Sequence, residues 1–114
     1  MGNSQMVLVA CLIESGAFSG ERVIRLRLAD SGQEFTGIVP LHYCRRSEDA
    51  KLGADQPAPG SVPIEGFVEA FLVSNGGEAA TVELPSGDVV RVDVQEVPYE
   101  LRESRGESYV PVGS

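Results

Sequence analysis

Gly66–Val97 reads GFVEAFLVSNGGEAATVELPSGDVVRVDVQEV. Its reading decides the fold. Val82, Leu84, Val90, Val92 and Val94 alternate with Glu83, Asp88, Arg91 and Asp93, the period-two pattern of a sheet with one buried face. Between the two runs lie Pro85, Ser86 and Gly87. Pro85 presets φ early in a turn, and Gly87 suits a positive φ. Parity then fixes the loop. With Pro85–Gly87 as the loop, Val82 faces Val90 and Ala80 faces Val92, whereas a one-residue slip would set core against surface. Asn75-Gly76-Gly77 is a second hairpin signal. The same test there sets Leu72 against Ala80, Ala70 against Val82 and Val68 against Leu84. Phe67, Glu69, Phe71 and Val73 are left on the opposite face.

Working outward, the first half repeats this plan. Met6–Ile13 is apolar on both faces and short, as expected of a strand covered on both sides or bent between two sheets. Glu14–Glu21 is a loop. In Arg22–Ala29, Ile24, Leu26 and Leu28 point inward, and Val23, Arg25 and Arg27 outward. Asp30–Gln33 is a turn that pairs Leu28 with Phe35 and Ile24 with Val39. Glu34–Leu41 is a third strand, with Gly37 as a bulge candidate. Gly32 and Gly87 stand 55 positions apart, and both halves read as strand, loop, strand, Ser-Gly turn, strand. The two halves therefore look like one three-stranded meander used twice. Residues 1–98 form a single β domain: 6–44 the first meander, 45–61 a connecting loop and 62–98 the second meander. Ser47–Leu52 has the makings of one helical turn capped by Ser47. Residues 99–114 read as a C-terminal tail of alternating charge.

Composition bounds the function. The 114-residue chain is 42% hydrophobic, enough for one modest core, and carries a formal net charge of -8. That charge opposes general nucleic-acid binding, where phosphate neutralisation supplies most of the affinity. It suits a monomer or weak homodimer. No apolar run approaches the length of a membrane span. No basic segment leads into an apolar run and cleavage site, and Met6 occupies the position where a myristoylation motif needs Ser or Thr. A cytoplasmic location is the expectation. Cys11, in the run VLVACLI, reads as a buried free thiol.

Chemistry-bearing motifs are sparse. His42 is the sole histidine. His42 and Cys44 stand two apart, which would put both on one face of a strand, but zinc needs three or four ligands. A catalytic thiol needs a base and an oxyanion donor. SGAFSGE lacks the Lys-Ser/Thr pair of a phosphate loop. The carboxylates are spread along strands and turns. No enzyme chemistry, cofactor or metal is therefore expected. Two surface features remain. Arg25 and Arg27 share an outer face, and Arg45 and Arg46 follow the next strand, a patch able to contact RNA or an acidic partner. Cross-strand pairing with carboxylates explains the same arginines without any partner. Phe67 and Phe71 form an apolar strip on the non-core face, to be covered by the chain itself, a second copy or a partner.

Six strands in two meanders imply an all-β domain, a small barrel or a two-sheet sandwich. In its order of bent strand, Gly-rich turn and tight hairpin, Gly66–Val97 resembles SH3-like barrels such as Tudor and KOW modules. The leading functional expectation is a non-catalytic protein-interaction module, binding through the apolar strip or an open sheet edge. An RNA- or ribosome-associated barrel using Arg25, Arg27, Arg45 and Arg46 is the alternative, and an enzyme of unknown class the second alternative.

Overall fold

A computed structural model describes residues 5–102 and 108–113. Its strands are β1 (Gln5–Ser15), β2 (Glu21–Arg27), β3 (Glu34–Pro40), β4 (Cys44–Ser47), β5 (Ala50–Lys51), β6 (Ile64–Asn75), β7 (Ala79–Glu83), β8 (Val89–Asp93), β9 (Tyr99–Arg102) and β10 (Ser108–Pro111). Short 3-10 turns, Leu41–Tyr43 and Val94–Glu96, follow β3 and β8. No helix among the described residues is long and apolar enough to cross a membrane.

The all-β class holds, but the six-stranded barrel or sandwich does not. All ten strands join one antiparallel sheet, and it does not close. Among the described residues β3 pairs only with β2 and β8 only with β7, so no ladder joins the two ends. The additional strands come from the two segments whose sequence looks like connection. In 45–61, Ser47 pairs with Ala50 in a β4–β5 hairpin, in place of the expected helical turn. In 99–113, β9 pairs with both β10 and β1. These strands are two to four residues long and, apart from Cys44, carry no fully buried residue, so they leave no alternation to read.

The order β10-β9-β1-β6-β4-β5 reads the same from either end once β1 is exchanged with β6, β9 with β4 and β10 with β5. From the central β1–β6 ladder, the β2–β3 hairpin leaves at one end and β7–β8 at the other. Each half also lends a strand to the other: β4 pairs with β6, and β9 with β1. The repeated plan seen in the sequence is therefore a pseudo-twofold topology.

The faces are those that parity assigns. Val7, Val9, Cys11, Ile13, Ile24, Leu26, Val68, Ala70, Val82, Leu84, Val90 and Val92 form one core. The Pro85–Gly87 loop has the expected register, Val82 opposite Val90, with Gly87 at φ 94°. Two other registers differ by two residues from those read in the sequence. Leu72 pairs with Val82, because a bulge lies between Leu72 and Ser74. Leu26 pairs with Phe35, because the turn occupies Ala29–Gly32 and the Leu28 N–H closes it by donating to the Gln33 carbonyl. A shift of two preserves every face, so the core survives both changes. Gly37 is not a bulge, since β2–β3 runs without a break. It leaves room for the Phe35 ring, which a Cβ would approach to 2.9 Å.

Among the described residues one charged side chain, Arg22, is buried with the core. Arg22 is 3% exposed and donates to the carbonyls of Ser19, Glu21, Ala54 and Gln56 at 2.6–2.8 Å. It ties the β1–β2 loop to the segment before β6, and the four carbonyl dipoles stand in for a carboxylate.

Candidate binding clefts at the split strand edges

One edge of β1 is paired along Gln5–Ile13 with β6. The other edge is shared. Val7 and Leu8 pair with β9, and Leu12–Ser15 pair with β2. Among the described residues, Val9, Ala10 and Cys11 have no ladder partner on that side. The reason lies in the arm: β2 stays with β1 from Arg22 to Arg25, then bends away to build β3 and the core. The bend opens a cleft of about 580 Å³. Its floor is Ala10, Cys11, Leu12, Gly66 and Phe67; its walls carry Arg25, Arg27, Arg46, Glu34, Glu65 and Glu96. Gly66 lets the chain at Arg45 come close on the core side, because a Cβ there would stand 2.6 Å from the Arg45 carbonyl and 2.8 Å from the Ile13 side chain.

β6 repeats the arrangement. Phe67 and Val68 pair with β4, and Phe71–Asn75 with β7, leaving Glu69 and Ala70. Here the cleft is about 190 Å³ and is lined by Met6, Tyr43, Phe71, Pro85 and Gly87, among others.

Four of the six residues singled out in the sequence meet at the first cleft: Phe67, Arg25, Arg27 and Arg46. Phe71 lies at the second. Arg45 lines neither cleft. It pairs with Glu69 at 3.1 Å, both side chains 13% exposed, and stands 5.1 Å over the Tyr109 ring. Arg25 is also engaged, by Glu14 and by Glu34 at 3.0 Å, hydrogen bonds that hold its guanidinium more firmly charged, Glu14 first. Arg46 donates to the Glu65 carbonyl at 3.4 Å. The dense basic stripe is thus largely paired within the chain.

The apolar strip divides. The Phe67 ring meets Tyr99 edge-on at 5.6 Å and is half-buried beneath the β9–β10 hairpin. Leu8, on the same outer face, is 0% exposed. Phe71 and Val73 remain 45% and 57% exposed, and Val89, two strands across from Phe71, is 59% exposed. The chain therefore covers the Phe67 end and leaves the Phe71 end bare.

His42 is exposed and Cys44 buried, so they do not share a face. Among the described residues no group of three His, Cys, Asp or Glu could hold a metal. Cys11 and Cys44 are free. Burial pushes the Cys44 thiol up to about 11 and the Cys11 thiol higher still, with the charge of Cys44 as a second cause for Cys11. Sequence reasoning missed the roles of Ala10, Leu12, Glu65, Glu96 and Arg22. Parity held the signal for the first two: they alternate with Cys11 and Ile13, so they must share the outer face with Phe67. No protein-family model, curated protein or solved structure matches the chain.

Proposed function

We propose that the chain is a non-catalytic protein-interaction module that receives an extended segment of a partner protein in the cleft beside Val9–Cys11. The observation that carries this reading is the β1 edge, unpaired among the described residues, beside the cleft of about 580 Å³. Such an edge offers main-chain hydrogen bonds to an incoming strand, and neighbouring pockets select its side chains. Ala10, Leu12 and Phe67 supply apolar contact, and the charged walls supply polarity at the rim. The RNA reading is the weaker one, since Arg25 and Arg45 are spent on Glu14, Glu34 and Glu69 and the net charge is -8. Protonated, buried thiols make poor nucleophiles, which also supports binding over catalysis.

Short peptides selected from a random displayed library against the folded chain provide the test. They are expected to bind the native protein and to lose at least about tenfold in affinity, roughly 1.4 kcal/mol, to Ala10→Trp, which fills the cleft from the outer face. Circular dichroism confirms that the variant folds. Equal affinity for the native chain and folded Ala10→Trp would overturn the proposal.

A further inference from the structure

We infer that the partner segment takes the place of β9 on β1, and that it presents an aromatic residue followed by a carboxylate. This inference rests on the proposed function and specifies its occupant.

Three free residues, Val9–Cys11, are a short ladder for a bound strand; strands run about five or six residues. The next residues of the same edge are held by β9 through two positions only, Val7 with Glu100 and Leu8 with Tyr99. Lifting β9 would give a continuous edge from Gln5 to Cys11. β1 does not depend on β9 for its place, because β6 pairs with it on the other edge from Gln5 to Ile13. An incoming strand antiparallel to β1 thus meets a rigid template.

The chain's own occupant shows what chemistry fits. Tyr99 stands opposite Leu8, which is fully buried, and packs edge-on against Phe67. Without an apolar residue at that position, Leu8 would lie open on the outer face, so the replacing strand must bring one, and the Phe67 ring favours an aromatic. The next residue, Glu100, accepts a hydrogen bond from the Gln5 side-chain amide. A carboxylate in the partner restores that bond. Ahead of the aromatic, by the same antiparallel register, the segment passes Val9 and Ala10 into the cleft, which Arg27 and Glu96 line.

The probe is a labelled synthetic peptide copying residues 97–102, added to the full chain. Tyr99→Ala weakens the resident strand, so the probe is expected to bind this variant at least about tenfold more tightly than the native chain. Replacing the probe's own tyrosine with alanine is expected to abolish binding. Equal affinity for both chains, or binding that ignores the probe's tyrosine, would overturn the inference. Amide exchange on the native chain needs no substitution. With a library-selected peptide bound, Tyr99–Arg102 is expected to lose protection while Val9–Cys11 gains it. Gain at Val9–Cys11 with Tyr99–Arg102 unchanged would overturn displacement of β9 and leave the cleft itself standing.

Discussion

The two clefts are built from one plan and end differently. In each, a central strand divides one edge between a strand borrowed from the other half and its own hairpin arm. Faces match when Val9 is set against Val68, which pair with each other in the central ladder. Ala10 and Leu12 then stand where Glu69 and Phe71 stand. The large pair, with Pro85 from the neighbouring turn, narrows the β6 cleft to about 190 Å³. The smaller pair leaves the β1 cleft at about 580 Å³. Glu69 is also consumed, by Arg45 at 3.1 Å and Lys51 at 3.6 Å. Topology therefore creates two gaps, and side-chain size decides which one stays open.

The arms differ as well. Ala80, Val82, Val90 and Val92 close the β7–β8 arm with apolar contacts alone. The β2–β3 arm places Arg22 in its core-facing row. Arg22→Met strips four carbonyls of their donor and is expected to lower stability by about 2–4 kcal/mol in urea unfolding. Arg91→Met, on exposed β8, should change it by less than about 0.5 kcal/mol, since its 3.6 Å contact with Asp30 is a surface pair. Similar losses in the two variants would break the distinction between the arms.

The strip gives the next contrast. Phe67→Ser removes a half-buried ring under β9 and should cost about 1–3 kcal/mol, below the range for full core truncation. Phe71→Ser should cost under about 1 kcal/mol, as expected away from buried features. Thermal melts of the two single variants check the order. A larger loss at Phe71 would place the covered end of the strip wrongly.

The two arm turns sharpen the likeness rather than the difference. Gly32 and Gly87 both hold positive φ, at 71° and 94°, with open space around them. Valine at either is expected to cost about 1–2 kcal/mol through backbone strain alone. Gly20→Val, in an ordinary conformation with nothing nearby, should be close to neutral. A neutral Gly32→Val beside a costly Gly87→Val would mean that the first turn is not the equivalent of the second.

The smallest effect concerns pH. Hydrogen bonding to Arg102, then to Gln5, holds the Glu100 carboxyl below its ordinary 4.5. A depressed carboxylate contributes above its unfolded value and loses that contribution as pH falls through the folded one. The hold of β9 on β1 should be constant above about pH 5 and weaken below it. Amide exchange of Tyr99–Arg102 across that range measures it, and Glu100→Gln should flatten the dependence.

Much of the fold was legible because parity is a robust reading. Alternation at Ile24/Leu26, Val68/Ala70 and Val90/Val92 assigns faces, and faces survive a register shift of two. The registers themselves were not legible, since neither the Leu72/Ser74 bulge nor the Ala29–Gly32 turn leaves a trace in alternation. β4, β5, β9 and β10 were hidden for another reason. β4 and β9 find their sheet partners β6 and β1 far away in the chain, β5 and β10 attach only through them, and all four are too short to show a period. The open cleft was half visible: Arg25, Arg27, Arg46 and Phe67 were each singled out, but only the bend of β2 away from β1 brings them together.

Of the two split edges, β1 is the one expected to receive a partner. Backbone amide shifts of the full chain, recorded by NMR during titration with a library-selected peptide, test it directly. The predicted result is that Val9, Ala10, Cys11 and Gly66 move in proportion to occupancy while Glu69, Ala70 and Phe71 stay within error. Shifts centred on Glu69–Phe71, with Val9–Cys11 unmoved, would contradict it.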